Sequence, residues 1–183
     1  SVIQMQIESE LDGSLDELFT SIEREPYAAA SIGQVHRAVT REGQQVIVKV
    51  QYPGVDRSVG SDLKQLKLTL KLGGLLKMPK ESVDKLFLEL EERLTEELDY
   101  ELEASNLKKF HAYHASDKHI IIPKVLESLS SQRVLTLDFV EGDGIDDLNE
   151  LGYDEETKAQ IATNLFDMLS RQLFDFQCIH GDP

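Results

Sequence analysis

The sequence predicts an α+β fold, an antiparallel sheet with helices packed around it, leading into a more helical region. Three observations carry this. Val46-Ile47-Val48-Lys49-Val50-Gln51 is a β-branched run between Gly43 and the breaker Tyr52-Pro53-Gly54. Long stretches on either side of residue 79 place leucine at helical spacing. A second short apolar run, Val134-Leu135-Thr136-Leu137, then precedes another helical stretch.

Taken in order, Ile3, Ile7 and Leu11, then Gly13, then Leu15, Leu18 and Phe19 predict two short helices over residues 1–22. Pro26 opens a different regime, in which Tyr27 to His36 leads into a strand. Arg41-Glu42-Gly43-Gln44 is the expected hairpin connection to the strand holding Lys49. Residues 56–77 read as a helix with Val59, Leu63, Leu66 and Leu70 on one face, broken by Gly73-Gly74 and Pro79. One long helix is expected from Lys80 to about His114, with Leu86, Leu90, Leu94, Leu98 and Leu102 as its stripe. Ile120-Ile121-Ile122 and Val134 to Leu137 read as two strands. A last helix, from near Asp154, should bury Ile161, Leu165, Leu169, Leu173 and Phe176.

Composition narrows the function. Hydrophobic residues make up 40% of 183, enough for a packed core. A formal charge of -15 argues against a nucleic-acid face and against attraction to anionic lipid. No apolar run reaches the length of a membrane span. Cys178 is the single cysteine, which rules out an internal disulfide, suits a reducing cytoplasmic or organellar interior, and is expected in the core between Gln177 and Ile179. His111, His114 and His119 read as a fraying helix end, where imidazoles suit the dipole, rather than as a metal site.

Chemistry concentrates at two places. A lysine inside an apolar strand is costly unless its ammonium meets an anion. Asp99 and Glu103, four apart, share a helix face and repel, with Glu96 a turn back. Glu103 is the economical partner for Lys49. The chain closes on His180-Gly181-Asp182-Pro183, an acid behind a helix. A lysine in an early strand and such an acid later are the order of a protein-kinase-like small lobe followed by the start of its helical large lobe. On that reading residues 1–138 form the small lobe, with 1–22 its N-terminal helical segment. Residues 139–183 form the hinge and the start of the large lobe, cut within the catalytic loop, so the sequence reads as a piece of a longer protein.

Pro26 to Val35 with His36-Arg37-Ala38, then Val48-Lys49-Val50-Gln51-Tyr52-Pro53-Gly54-Val55, resembles the UbiB/AarF family of atypical protein-kinase-like proteins. Glu97-Leu98-Asp99-Tyr100, Glu103-Ala104-Ser105-Asn106 and the closing His-Gly-Asp-Pro are similar to the same family. The resemblance implies ATP or ADP binding with magnesium, and a role in the synthesis or handling of isoprenoid (ubiquinone-type) quinone lipids. Lys49 would contact phosphates, Glu103 would orient it, and Asp182 would be the catalytic-loop acid. An alanine-rich hairpin of Ala28, Ala29, Ala30, Ser31 and Gly33 would cover the phosphates, and the backbone at Asp138 and Val140 would meet adenine. Glu97 and Asp99 would form the family's Glu-x-Asp element. The Lys-x-Gly-Gln segment, the metal-binding Asn and the Asp-Phe-Gly aspartate are not in this sequence, so no metal ligand is assigned here and the stretch alone is expected to lack turnover. Lipid or quinone-biosynthesis proteins would engage the parent, membrane-associated, through other parts, and the cut surface would favour self-association. Two other readings fit parts of the pattern. One is a small-molecule phosphotransferase of aminoglycoside or choline kinase type, and the other a non-catalytic nucleotide-responsive scaffold.

Overall fold

A computed structural model describes residues 1–72 and 79–179. Gly73-Gly74 and the His180 to Pro183 segment lie outside them. The polypeptide divides into two units, residues 1–108 with 124–139, and residues 109–123 with 140–183.

The first unit opens with α1 (Val2–Glu10), whose Ser1 cap accepts from the Gln4 amide, and the single turn α2 (Leu15–Leu18). The expected second helix stops there. Phe19 begins a strand, β1 (Phe19–Ile22), because its backbone pairs with a later strand and its side chain fills the core. β2 (Ala28–Ala30), β3 (Gly33–Thr40), β4 (Gln45–Gln51) and β5 (Val134–Asp138) complete an antiparallel sheet in the order β1-β3-β4-β5. β2 pairs with the start of β3 and β1 with its end, so the two lie along one edge of it. The expected hairpin at Arg41 to Gln44 forms, with Gly43 at φ +84°.

Alternation in β4 assigns its two faces. Val46, Val48 and Val50 enter a core with Ile7, Phe19, Ala38 and Val134, closed by Ile3, Leu11, Leu15 and Leu18. The opposite face carries Ile47 with Leu135 and Leu137, packed against Tyr100, Ala104 and Leu107. The N-terminal helices thus cover one side of the sheet and α5 (Tyr100–Tyr113) the other.

α3 (Val55–Leu72) packs against α4 (Lys80–Glu97), with Lys67 bridged to Asp84 at 2.9 Å. The helix expected to run unbroken to His114 is therefore two, parted at Leu98-Asp99, where Asp99 Oδ1 accepts the Glu101 and Leu102 amides at 3.1 and 3.0 Å. The leucine stripe also fails. Steps of four residues drift by about 40° each on a helix of 3.6 residues per turn, and Leu86, Leu90 and Leu102 are exposed. Val83, Phe87, Tyr100, Ala104 and Phe110 are the buried positions. Leu66 of α3 is exposed as well.

Ile120-Ile121-Ile122 forms no strand; it runs into Pro123, which has no N–H to give a ladder, and only Val125 bridges to Leu137. In the second unit α6 (Glu155–Arg171) starts at its Asp154 cap, whose Oδ1 accepts from the Thr157 amide at 2.7 Å, and continues into a wider turn over Gln172–Phe176. Its buried line passes through Met168 and Gln172, while Leu169 and Leu173 are exposed for the reason given above. His114 is buried rather than frayed, 3.1 Å from the Gln172 amide, and Tyr113 stacks on Phe176 at 4.3 Å. Cys178 is exposed, not in the core, because Gln177 at φ +55° turns the chain out of the helix. Among the described residues no helix is long and apolar enough to cross a membrane.

Candidate functional site

Lys49 is where the two sides of β4 matter. The odd-numbered residues of this strand point to α5, so the lysine leaves the valine face and meets a helix that supplies an acid. Its Nζ lies 2.9 Å from both carboxylate oxygens of Glu103. The same ammonium stands 4.8 Å from the centre of the Tyr100 ring. The lysine side chain is 23% exposed and the glutamate 37%, so the pair is held at the edge of the core with one side open. Pairs at such exposure contribute on the order of 1 kcal/mol or less. Stability alone is a weak reason to place a lysine in this strand. An ammonium fixed at two oxygens and open on another side remains able to hold an added anion.

Tyr100 is 1% exposed. Burial first, then the Glu103 and Glu97 carboxylates, push its hydroxyl well above the ordinary tyrosine value, so the ring beneath Lys49 stays neutral. Its backbone amide donates to the Gln132 carbonyl at 3.1 Å.

The alanine hairpin lies across β3 from this lysine. Ala28 pairs with Val35, and Val35 with Lys49. Ala30 pairs with Gly33, which makes Ser31-Ile32 a two-residue turn. Ala28, Ala29 and Ser31 are exposed. Gly33 has a reason within the sheet, because a Cβ there would sit 2.0 Å from the Val50 carbonyl oxygen. Small exposed residues and a partly open ammonium thus share one sheet.

The other candidate residues are spread more widely. Glu97 is the exposed last residue of α4, and Asp99 caps α5 instead of repelling Glu103 along a shared helix. Asp138 ends β5, its amide donating to the Lys124 carbonyl at 3.0 Å and its carboxylate accepting from the Gln44 amide group. Val140 is exposed in the second unit. Asp182 lies outside the described residues. Two features escaped the sequence reading. Gln51 is fully buried and donates to the Leu98 carbonyl at 2.8 Å. Arg133 bridges Glu10 at 3.0 Å and Asp56 at 2.9 Å, tying α1 and α3 to the start of β5, and its hydrogen bond holds the Asp56 carboxyl below the usual range. Only the first left a mark in the sequence, as a polar residue two positions from Lys49 and therefore on its face.

The sequence profile of the ABC1 atypical kinase-like domain matches residues 1–183. The chain belongs to that family. It is 37% identical over 182 residues to the atypical kinase COQ8B, mitochondrial, of Danio rerio, covering 97% of this chain and 28% of that protein. It is 35% identical over 175 residues to the atypical kinase COQ8, mitochondrial, of Saccharomyces cerevisiae, covering 95% and 34%. A solved structure, the Rv3197–erythromycin complex from Mycobacterium tuberculosis, superposes with a TM-score of 0.65 at 31% identity, over 84% of this chain and 39% of that one. The chain thus spans about a third of the length of these relatives. The α+β class and the kinase-like small lobe follow from the sheet and from this membership.

Proposed function

We propose that this ABC1 domain binds the phosphates of ATP or ADP with magnesium, as part of an atypical kinase-like ATPase or phosphotransferase supporting isoprenoid quinone biosynthesis. The observation that carries the reading is the Lys49 ammonium, 2.9 Å from both Glu103 oxygens and one strand away from the alanine hairpin. Lys49 holds the phosphates and Glu103 keeps it from swinging into solvent. Ala28, Ala29, Ala30, Ser31 and Gly33 form the cover, with alanine methyl groups setting how closely the backbone approaches. Residues 1–138 act as the small lobe and 139–183 as the hinge and first part of the large lobe. Asp138 and Val140 supply hinge backbone for adenine, Asp182 the loop acid, and Glu97 and Asp99 the family's acidic element. Magnesium, when bound, neutralises phosphate charge during transfer. The quinone-pathway assignment rests on the kinship to the COQ8 proteins, whose names also place them in mitochondria. A reducing organellar or cytoplasmic interior suits the single exposed cysteine.

The test is titration of the full-length protein with ATP and ADP, each with magnesium, by calorimetry. Lys49→Met and Glu103→Gln should each weaken nucleotide binding about tenfold or more, the loss expected for one charge-assisted contact, with unfolding midpoints near wild type. Wild-type affinity in folded Lys49→Met would remove the reading.

A further inference from the structure

We infer that Gln51 is a positioning residue that fixes α5 in the register at which Glu103 meets Lys49. The functional meaning of this register rests on the nucleotide reading above; the register itself does not. Gln51 and Lys49 are two apart on β4, so they emerge on the same face about 7 Å apart along the strand. Their partners stand on either side of the α5 start: Leu98 is the C-cap of α4, one residue before the Asp99 cap, and Glu103 lies in the first turn of α5. The Gln51 Nε2 to Leu98 carbonyl bond of 2.8 Å and the Lys49 to Glu103 bridge of 2.9 Å are therefore two ties from one face of β4, one to the residue before the α5 cap and one to the first turn of α5.

Slipping α5 by one residue would shift it about 1.5 Å and turn it about 100°, and the Lys49 to Glu103 bridge would not survive; the Leu98 tie, just before the cap, sets where that helix begins. Between the two ties, Tyr100 sets its ring under the ammonium and its amide on the Gln132 carbonyl, 3.5 Å from the same Gln51 amide nitrogen. The Gln51 backbone is itself held within the sheet, its N–H donating to the Arg133 carbonyl beside β5 at 3.1 Å. The break between α4 and α5 is thus pinned to β4 rather than left as a hinge.

A purely packing role for Gln51 fits the structure less well. The side chain is 0% exposed, and its Oε1 has no hydrogen-bond partner among the described residues. A leucine or methionine would fill that space without stranding an acceptor. What the amide adds is one directed bond to the Leu98 carbonyl, the residue just before the α5 cap.

Lys49 reactivity toward an amine-acylating reagent, read by mass spectrometry on the full-length protein without nucleotide, tests this directly. Gln51→Leu should raise Lys49 labelling by roughly threefold or more, within the range for residues coupled in one network. Glu103→Gln should do the same, and the double variant should add nothing further. Unchanged labelling in folded Gln51→Leu, or effects that multiply independently, would overturn the inference. If Gln51→Leu does not fold, Gln51→Met is the second variant and carries the same expectation. In the wild type, backbone amides of α5 from Glu103 to Leu107 should exchange in step with those of β4; earlier local opening of α5 would also overturn it. Nucleotide titrations are read separately. Absent ATP binding in the wild type would remove the nucleotide reading, while the Lys49 labelling would still decide the role of Gln51.

Discussion

Replacing Gly33 by alanine should cost this domain a large share of its stability, for a reason measurable in the sheet. Gly33 lies opposite Gln51 in the β3–β4 ladder. A methyl group there would stand 2.0 Å from the Val50 oxygen, 2.8 Å from the Val50 carbonyl carbon and 3.1 Å from Gln51 Cα. All three are backbone atoms of a central strand, so no side chain can swing aside. Even a close C–H···O approach needs about 3.3 Å, so the strands must part by more than 1 Å at that rung. Overpacking of this kind costs about 1–3 kcal/mol, and loosening the neighbouring ladder bonds about 1 kcal/mol more, for an expected loss of roughly 2–4 kcal/mol. Urea unfolding should show a lower midpoint at unchanged slope. Gly60 is the control, because it lies inside α3 with nothing within 4 Å of an added Cβ. Gly60→Ala should gain up to about 1 kcal/mol. The reasoning fails if Gly33→Ala unfolds within about 0.5 kcal/mol of wild type, the scatter of neutral substitutions.

Asp99→Ala should lose about 1 kcal/mol by uncapping α5, while Asp99→Asn keeps an acceptor and should stay close to wild type in urea unfolding. Equal losses in the two variants would show that the carboxylate charge, not the cap, is what matters. In the second unit, burial first and then Arg171 push the His114 pKa down, against an opposing pull from Asp117. A depressed folded value favours the neutral ring, so this contribution to stability is complete above the unfolded value of about 6.5 and is lost as pH falls through the lower folded value. Unfolding followed from pH 7 to 5 should therefore steepen in the wild type and flatten in His114→Asn; parallel slopes would deny the ring this role.

Much of the first unit was legible because its signals are local. Alternation in Val46 to Gln51 fixes two faces, and a lysine on the less apolar one needs an anion, which singled out Glu103. Asp99 was misread for a reason equally local. Without the tertiary bond from Gln51 to Leu98, nothing in Glu97-Leu98-Asp99-Tyr100 says that the helix stops, and an acid at the next cap looks like a repelling neighbour. Phe19 was misread in the same way. Its apolar spacing continues from Leu15 and Leu18, and only pairing with β3 draws it into a strand. The leucine stripes of α4 and α6 misled because four-residue spacing mimics a buried face over two turns and departs from it over four.

The small residues of the hairpin divide once the sheet is known. Gly33 would be required in any protein whose β3 approaches Val50 this closely, so it carries no information about phosphate. Ala28 and Ala29 are different. They are exposed in the structure, and a β-strand edge facing water favours β-branched or polar residues over alanine. Packing does not ask for them. Close approach by something outside the chain would, and Lys49 lies across β3, its pairing partner Val35 also pairing with Ala28. The nucleotide reading therefore rests on the alanines and the lysine together, while the glycine that looks most like a phosphate-loop residue belongs to the sheet.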